Sequence, residues 1–197
     1  MFSSDYPSFS KKELDSIEKK NGKISKNRIL DYEKNLELMQ TYTPLKQLKY
    51  TNFYLNQLLP QYDDVIQHKE DYWATPKEFL ITGFGDCEDY VIIKYFTLIN
   101  LGFDEKKLFI TVVKEGYHDG YHMVLSYFKT EGESPLVLDN LSFRILDLQT
   151  RKDLKANVFI NSSGVYKLKN GDLVKVNQYS SQYIKLTKRI KIELQNS

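Results

Sequence analysis

The sequence predicts an α+β domain. Three observations carry that reading. Apolar residues recur at spacings near three and four through the first sixty positions and again after position 87; short apolar runs broken by Gly, Asn, Asp and Ser fill positions 108–176; and 197 residues, 41% apolar and 14% aromatic, suffice for one full-sized core. A single domain is expected, with residues 1–44 as a helical extension, 45–170 as the core and 178–195 as a closing helix.

In the N-terminal part, Leu30, Tyr32, Leu36 and Met39 mark one helix and Leu48, Phe53, Leu55, Leu58 and Leu59 a second, bracketed by Pro44 and Pro60. Residues 61–85, with Asp63, Asp64, Pro76 and the turn Gly83-Phe84-Gly85, read as a positioning loop. From Cys87 the run Tyr90, Val91, Ile93, Lys94, Phe96, Thr97, Leu98 is a buried helix closed by Gly102 at its C′ position. Strands are expected at 108–113, 121–128, 136–138, 143–146, 158–160, 165–168 and 173–176, joined as an antiparallel sheet. Tyr183, Ile184, Leu186, Ile190 and Ile192 give the closing helix its apolar face.

Composition excludes several classes. No apolar run is long enough to span a membrane, and the first twenty positions carry no apolar leader. One cysteine forbids an internal disulfide or a paired-cysteine metal site, and three histidines are too few for a histidine-rich one. Any metal would be held mainly by oxygen. No nucleic-acid motif is present. The net charge is +2, but residues 151–197 carry ten Lys/Arg against three Asp/Glu, which suits either a solvated helix surface or a face for an acidic partner.

The chemistry concentrates at Gly85-Asp86-Cys87-Glu88-Asp89. A thiol in the first turn of a helix meets unpaired backbone N–H groups and the positive end of the dipole, which favour a thiolate nucleophile. Three carboxylates beside it act the other way, raising the thiol pKa. They are either helix-start charge with Asp86 as N-cap or, with the conflict relieved, ligands of a hard divalent cation. Calcium suits such a cluster, with Asp86, Glu88 and Asp89 as candidate ligands and Asn140 or Asp119 from another loop as possible completions. His122, in the strand-like stretch Tyr121–Leu125, and Asp139, at the end of Leu136–Leu138, sit where neighbouring strands would place an acid beside an imidazole, the logic of a Cys/His/Asp triad. A structural strand histidine is the plainer alternative. His68 and His118 stand in loop contexts, the latter in a hairpin turn at 115–120. The Cys87 N–H is one oxyanion donor by position, and Trp73 either supplies a second or packs against the helix.

Taken together, Trp73-Ala74-Thr75-Pro76-x-Glu78, Gly85-Asp86-Cys87-Glu88-Asp89-Tyr90, His122-Met123-Val124-Leu125 and Leu138-Asp139-Asn140 resemble the bacterial transglutaminase-like cysteine proteinases, the family of the LapG proteases. The resemblance begins at Leu45-Lys46-x-x-Lys49-Tyr50-x-Asn52-x-Tyr54-x-Asn56 and reaches about residue 170. It implies a papain-like core, a nucleophile at a helix start, and Cys87, His122 and Asp139 as the triad. It also implies calcium bound near Asp86 and Glu88, and a periplasmic address with the export signal removed. The implied substrate is a large surface adhesin cut near its N-terminus, with biofilm release as the consequence. The implied regulator is an inner-membrane cyclic di-GMP receptor, LapD-like, that sequesters the protease. An acyltransferase using the same acyl-enzyme, and a calcium-dependent binding module with a vestigial triad, are the competing readings.

Overall fold

The computed structural model describes residues 5–60, 72–116 and 120–196. Its helices begin with α1 (Lys11–Asn21), started by a capping box in which Ser10 and Glu13 satisfy each other's backbone N–H groups. Gly22, at φ 88°, separates α1 from α2 (Lys23–Gln40). The buried stripe of α2 runs Ile29, Tyr32, Leu36, Met39, whereas Leu30 faces outward. Pro44 opens α3 (Pro44–Leu55), consistent with proline at a first helical turn.

The loop expected over 61–85 contains a helix, α4 (Pro76–Thr82). Its start signal is local: Thr75 caps Glu78, Glu78 caps back, and Pro76 stands at the first position. Gly83, in the left-handed conformation at φ 82°, ends it, and a Cβ there would collide with the Arg28 side chain. A two-residue parallel bridge joins β1 (Leu59–Pro60) to β2 (Phe84–Gly85) immediately before α5 (Cys87–Asn100).

α5 is the axis of the fold. Ten of its residues, Asp89 through Leu98, are buried, so it is apolar nearly all round and needs cover on both sides. One side meets α1–α4 through Tyr90 and Ile93, packed with Ile29, Tyr32, Met39, Leu55 and Phe79. The other meets the sheet through Val91, Ile92, Tyr95 and Leu98, packed with Ile110, Leu125 and Leu138. Truncating Ile92 or Ile93 to Ala costs about 2–5 kcal/mol at such fully enclosed sites. The helix closes as expected: Phe103 N–H bonds to Leu98 and Gly102 N–H to Ile99, around Gly102 at φ 89°.

All seven expected strands form: β3 (Leu108–Glu115), β4 (Tyr121–Tyr127), β5 (Leu136–Asp139), β6 (Ser142–Asp147), β7 (Leu154–Asn161), β8 (Gly164–Lys169) and β9 (Asp172–Asn177). They make one antiparallel sheet in the order β6-β5-β4-β3-β7-β8-β9, extending past residue 170. The closing helix α6 (Ser181–Gln195) buries Tyr183, Leu186 and Ile190 in the core shared by α5 and the sheet. Residues 148–153 link β6 to β7 across the other face, where Leu148 and Leu154 pack on Val113, Val124 and Val137.

Candidate active site

Cys87 is the first residue of α5, and the backbone of Asp86 before it is extended, as an N-cap requires. The Asp86 side chain nevertheless makes no capping bond to the helix, which sets it apart from Ser10 and Thr75 at their helix starts. The Cys87 thiol donates to Glu88 Oε2 at 3.2 Å. The backbone N–H of Met123, the residue beside His122, stands close enough to the sulfur to lower its pKa. Burial pushes the thiol pKa well up, the charge and hydrogen bond of Glu88 add to that, the Met123 N–H opposes it, and Asp86 raises it further. Burial and the carboxylates outweigh the one opposing group, the Met123 N–H.

His122 and Asp139 meet because of strand register. Leu125 pairs with Leu138, so continuing the ladder sets Asp139 opposite Val124, one same-face step from His122. His122 Nε2 lies 2.8 Å from Asp139 Oδ1, with both side chains buried. An ionised carboxylate only accepts, so Nε2 carries the proton and Nδ1 is left as the base. The pKa of Asp139 is lowered to about 2: burial raises it, but the hydrogen bond and charge of His122, the Leu141 N–H at 2.9 Å and the Arg151 guanidinium at 2.9 Å outweigh that.

Four further residues stand around this pair: Arg151 and Lys94, which no motif marks, and Asn52 and Asn56, which belong to the family motif on α3 but carry no assigned role there. Arg151 reaches Asp139 Oδ2 from the β6–β7 connection. Asn52 on α3 and Asn56 at its C-cap, one turn apart, donate to backbone carbonyls flanking the β5–β6 turn: Asn56 to Asp139 at 2.7 Å, Asn52 to Ser142 at 2.7 Å. Lys94, fully enclosed, donates to Asn52 Oδ1 at 2.9 Å. The four-residue spacing of the two asparagines on one helix face was the available signal; nothing local marks Arg151.

Asp89 Oδ1 accepts the backbone N–H of Ala74 at 2.7 Å, tying the segment before α4 to the first turn of α5. Among the described residues no three His, Cys, Asp or Glu side chains gather as a metal cluster. Asn140 Oδ1 is buried and meets no donor among those residues. His68, His118, Asp119, Asp63 and Asp64 lie outside the described residues. Trp73 is 4% exposed and packs in the main core, its indole N–H without a partner among the described residues. In the basic C-terminal stretch, Arg189 bonds to the Trp73 carbonyl and sits 4.3 Å over the Tyr72 ring, so one of those charges is spent inside the molecule.

A sequence model of the bacterial transglutaminase-like cysteine proteinases matches residues 23–153. The comparison with curated proteins finds no match. Among solved structures, calcium-bound LapG of Legionella pneumophila is 32% identical, with a TM-score of 0.73, 90% of this chain and 98% of that chain being covered. The EGTA-treated form of the same protein is 31% identical, with a TM-score of 0.77 over 90% of this chain and 97% of that one. Among the described residues no helix is long and apolar enough to cross a membrane.

Proposed function

Because this chain belongs to the family of bacterial transglutaminase-like cysteine proteinases, we propose that it is a calcium-dependent thiol endoprotease with Cys87 as nucleophile, His122 as acid and base, and Asp139 as the acid that orients the imidazole. One observation carries the assignment: the backbone N–H of Met123 lies beside the thiol at the start of α5, and the imidazole of the residue before it, His122, is bonded through Nε2 to a buried carboxylate. That leaves Nδ1 as the nitrogen for the thiol proton.

The chemistry follows from those positions. His122 takes the thiol proton, and the sulfur attacks the scissile carbonyl carbon. The Cys87 N–H, unpaired within the helix as a first-turn donor, faces the oxyanion that forms. His122 then gives its proton to the departing amine, leaving a thioester. A water, deprotonated by His122, attacks that thioester and releases the new carboxyl end, restoring the thiol.

The residues present fit calcium. Two carboxylates flank the thiol and Asp86 is not used as a helix cap, while Asn140 Oδ1, a buried side-chain oxygen with no donor among the described residues, is the proposed completion from the β5–β6 turn. Asp86 and Glu88 are the proposed principal ligands. Asp89, whose Oδ1 accepts from Ala74, is proposed as a third. When bound, the ion supplies positive charge that offsets the carboxylates raising the thiol pKa.

The wider setting comes with the family resemblance and the likeness to LapG: a periplasmic location, a large surface adhesin as substrate, cut near its N-terminus, and control of biofilm attachment through a LapD-like receptor for cyclic di-GMP. The deciding experiment incubates N-terminal adhesin fragments with the protein in calcium or in EGTA and sequences the new ends. One defined cut, present with calcium and absent with EGTA or with Cys87→Ala, is expected. Incorporation of a fluorescent amine in place of cleavage would make the chain an acyltransferase instead.

A further inference from the structure

We propose that Arg151 is a positioning residue for the acid–imidazole pair, its guanidinium pinning one oxygen of Asp139 so that the other stays on His122. The inference rests on the reading of His122 and Asp139 as catalytic partners, and it concerns how their geometry is kept.

The two oxygens of Asp139 have separate duties. Oδ1 accepts from His122 at 2.8 Å and from the Leu141 N–H at 2.9 Å, while Oδ2 accepts from Arg151 Nη2 at 2.9 Å. The terminal torsion of an aspartate is soft, so donors on one oxygen alone leave the carboxylate plane poorly defined. A cation on the second oxygen fixes that plane and compensates a fully buried anion.

Arg151 is itself fixed. Its Nε lies 2.9 Å from Asp153 Oδ1 and its Nη2 lies 2.6 Å from Asp153 Oδ2, a two-point pairing that sets the orientation of the guanidinium. The Asp153 carbonyl accepts the Gly116 N–H at 2.7 Å, anchoring the β6–β7 connection to the end of β3. Leu148 and Leu154 seat that connection on the sheet at either side of Arg151. The chain Asp153–Arg151–Asp139–His122 is therefore continuous, and its first member is the most exposed, at 34%. Among the described residues, Lys94 on α5 also interacts through its charge with Asp139.

The test reads the His122–Asp139 bond directly. In protein carrying labelled histidine, the ring Nε2–H of His122 should give a low-field proton resonance, assigned by its loss in His122→Gln. Arg151→Ala, with fold checked by circular dichroism, is expected to weaken or abolish that resonance. On the adhesin fragment it should lower kcat roughly 10- to 100-fold with KM nearly unchanged, as loss of an orienting partner does. Added guanidinium should restore part of kcat. Arg151→Lys should restore little, because a point charge cannot span both aspartates. If Arg151→Ala does not fold, Asp153→Asn, which loosens the guanidinium while leaving it beside Asp139, is read the same way. An unchanged resonance in a folded variant would overturn the proposal, as would unchanged kcat. Absence of cleavage by the unaltered protein would count against the protease reading instead, and the resonance would still decide the role of Arg151.

Discussion

Asp89 on the first turn of α5 holds the backbone N–H of Ala74, fifteen residues earlier, at 2.7 Å. The same carboxylate packs against Gly85, where an added Cβ would stand 2.5 Å from Asp89 Oδ2. The segment before α4 and the start of α5 are thereby locked together. Asp89→Ala is expected to cost about 1–3 kcal/mol, the penalty for stranding a buried backbone donor, and Asp89→Asn less, since an amide oxygen still accepts. Gly85→Ala should disturb the start of α5 by displacing Asp89. Urea titration of the three variants checks the order, and equal stability of Asp89→Ala and the unaltered chain would contradict it.

Cys87 should be a slow nucleophile without calcium, because burial and then Glu88 and Asp86 raise its pKa. Iodoacetamide labelling, unambiguous with one cysteine, is expected to accelerate when calcium is added and slow again with EGTA. Glu88→Gln removes an anion that opposes the thiolate. It should label faster than the unaltered protein in EGTA and lose most of its response to calcium. Labelling indifferent to both ion and substitution would return the acids to helix-start electrostatics.

Asp139 ties stability to acid. Its pKa is lowered to about 2 because His122, Leu141 and Arg151 overcome the opposing effect of burial. For an acid depressed in the fold, the contribution is complete above the ordinary carboxylate range and disappears as pH falls toward about 2. Asp139→Asn should therefore lack a contribution on the order of 2–3 kcal/mol near neutral pH, with the gap closing as acid is added. Parallel pH–stability curves for the two proteins would refute this.

Lys94 works in the alkaline direction. Burial pulls its pKa down to about 7, against the attraction of Asp139. Between that value and the ordinary lysine range the unfolded chain binds the proton more readily, so stability rises with pH by up to about 1.4 kcal/mol per unit. Relative to Lys94→Met, the unaltered protein should gain stability between about pH 7 and pH 9. Denaturant midpoints for the pair, measured across that range, would expose a constant difference if the amine were not titrating there.

Much of the architecture was legible because it is local. Helix α5 announced itself by an apolar run ending in Gly102, and each strand by a short apolar segment between turn residues. α4 lies inside the stretch expected as a loop, although its capping signal, Thr75-Pro76-x-Glu78, is local and part of the family motif. Its seven residues are too few for a helical period to stand out from the polar stretch around them. The outward turn of Leu30 has a similar cause: neighbouring apolar residues Ile29 and Leu30 fit a helical period equally well, and only the packing partner chooses between them.

From the order of residues alone came the α+β class, the thiol at a helix start with acids around it, and the pairing of residue 122 with residue 139, since periodicity, capping and strand succession are written in neighbours. Tertiary structure alone revealed that the Asp139 carbonyl is held by Asn56, 83 residues away, that its carboxylate leans on Arg151, and that Lys94 is sealed in the interior. The physical reason is that a hydrogen bond's partner, and the desolvation that sets a charge's pKa, depend on which surfaces close over a group after the chain has folded, and no spacing along the chain encodes that.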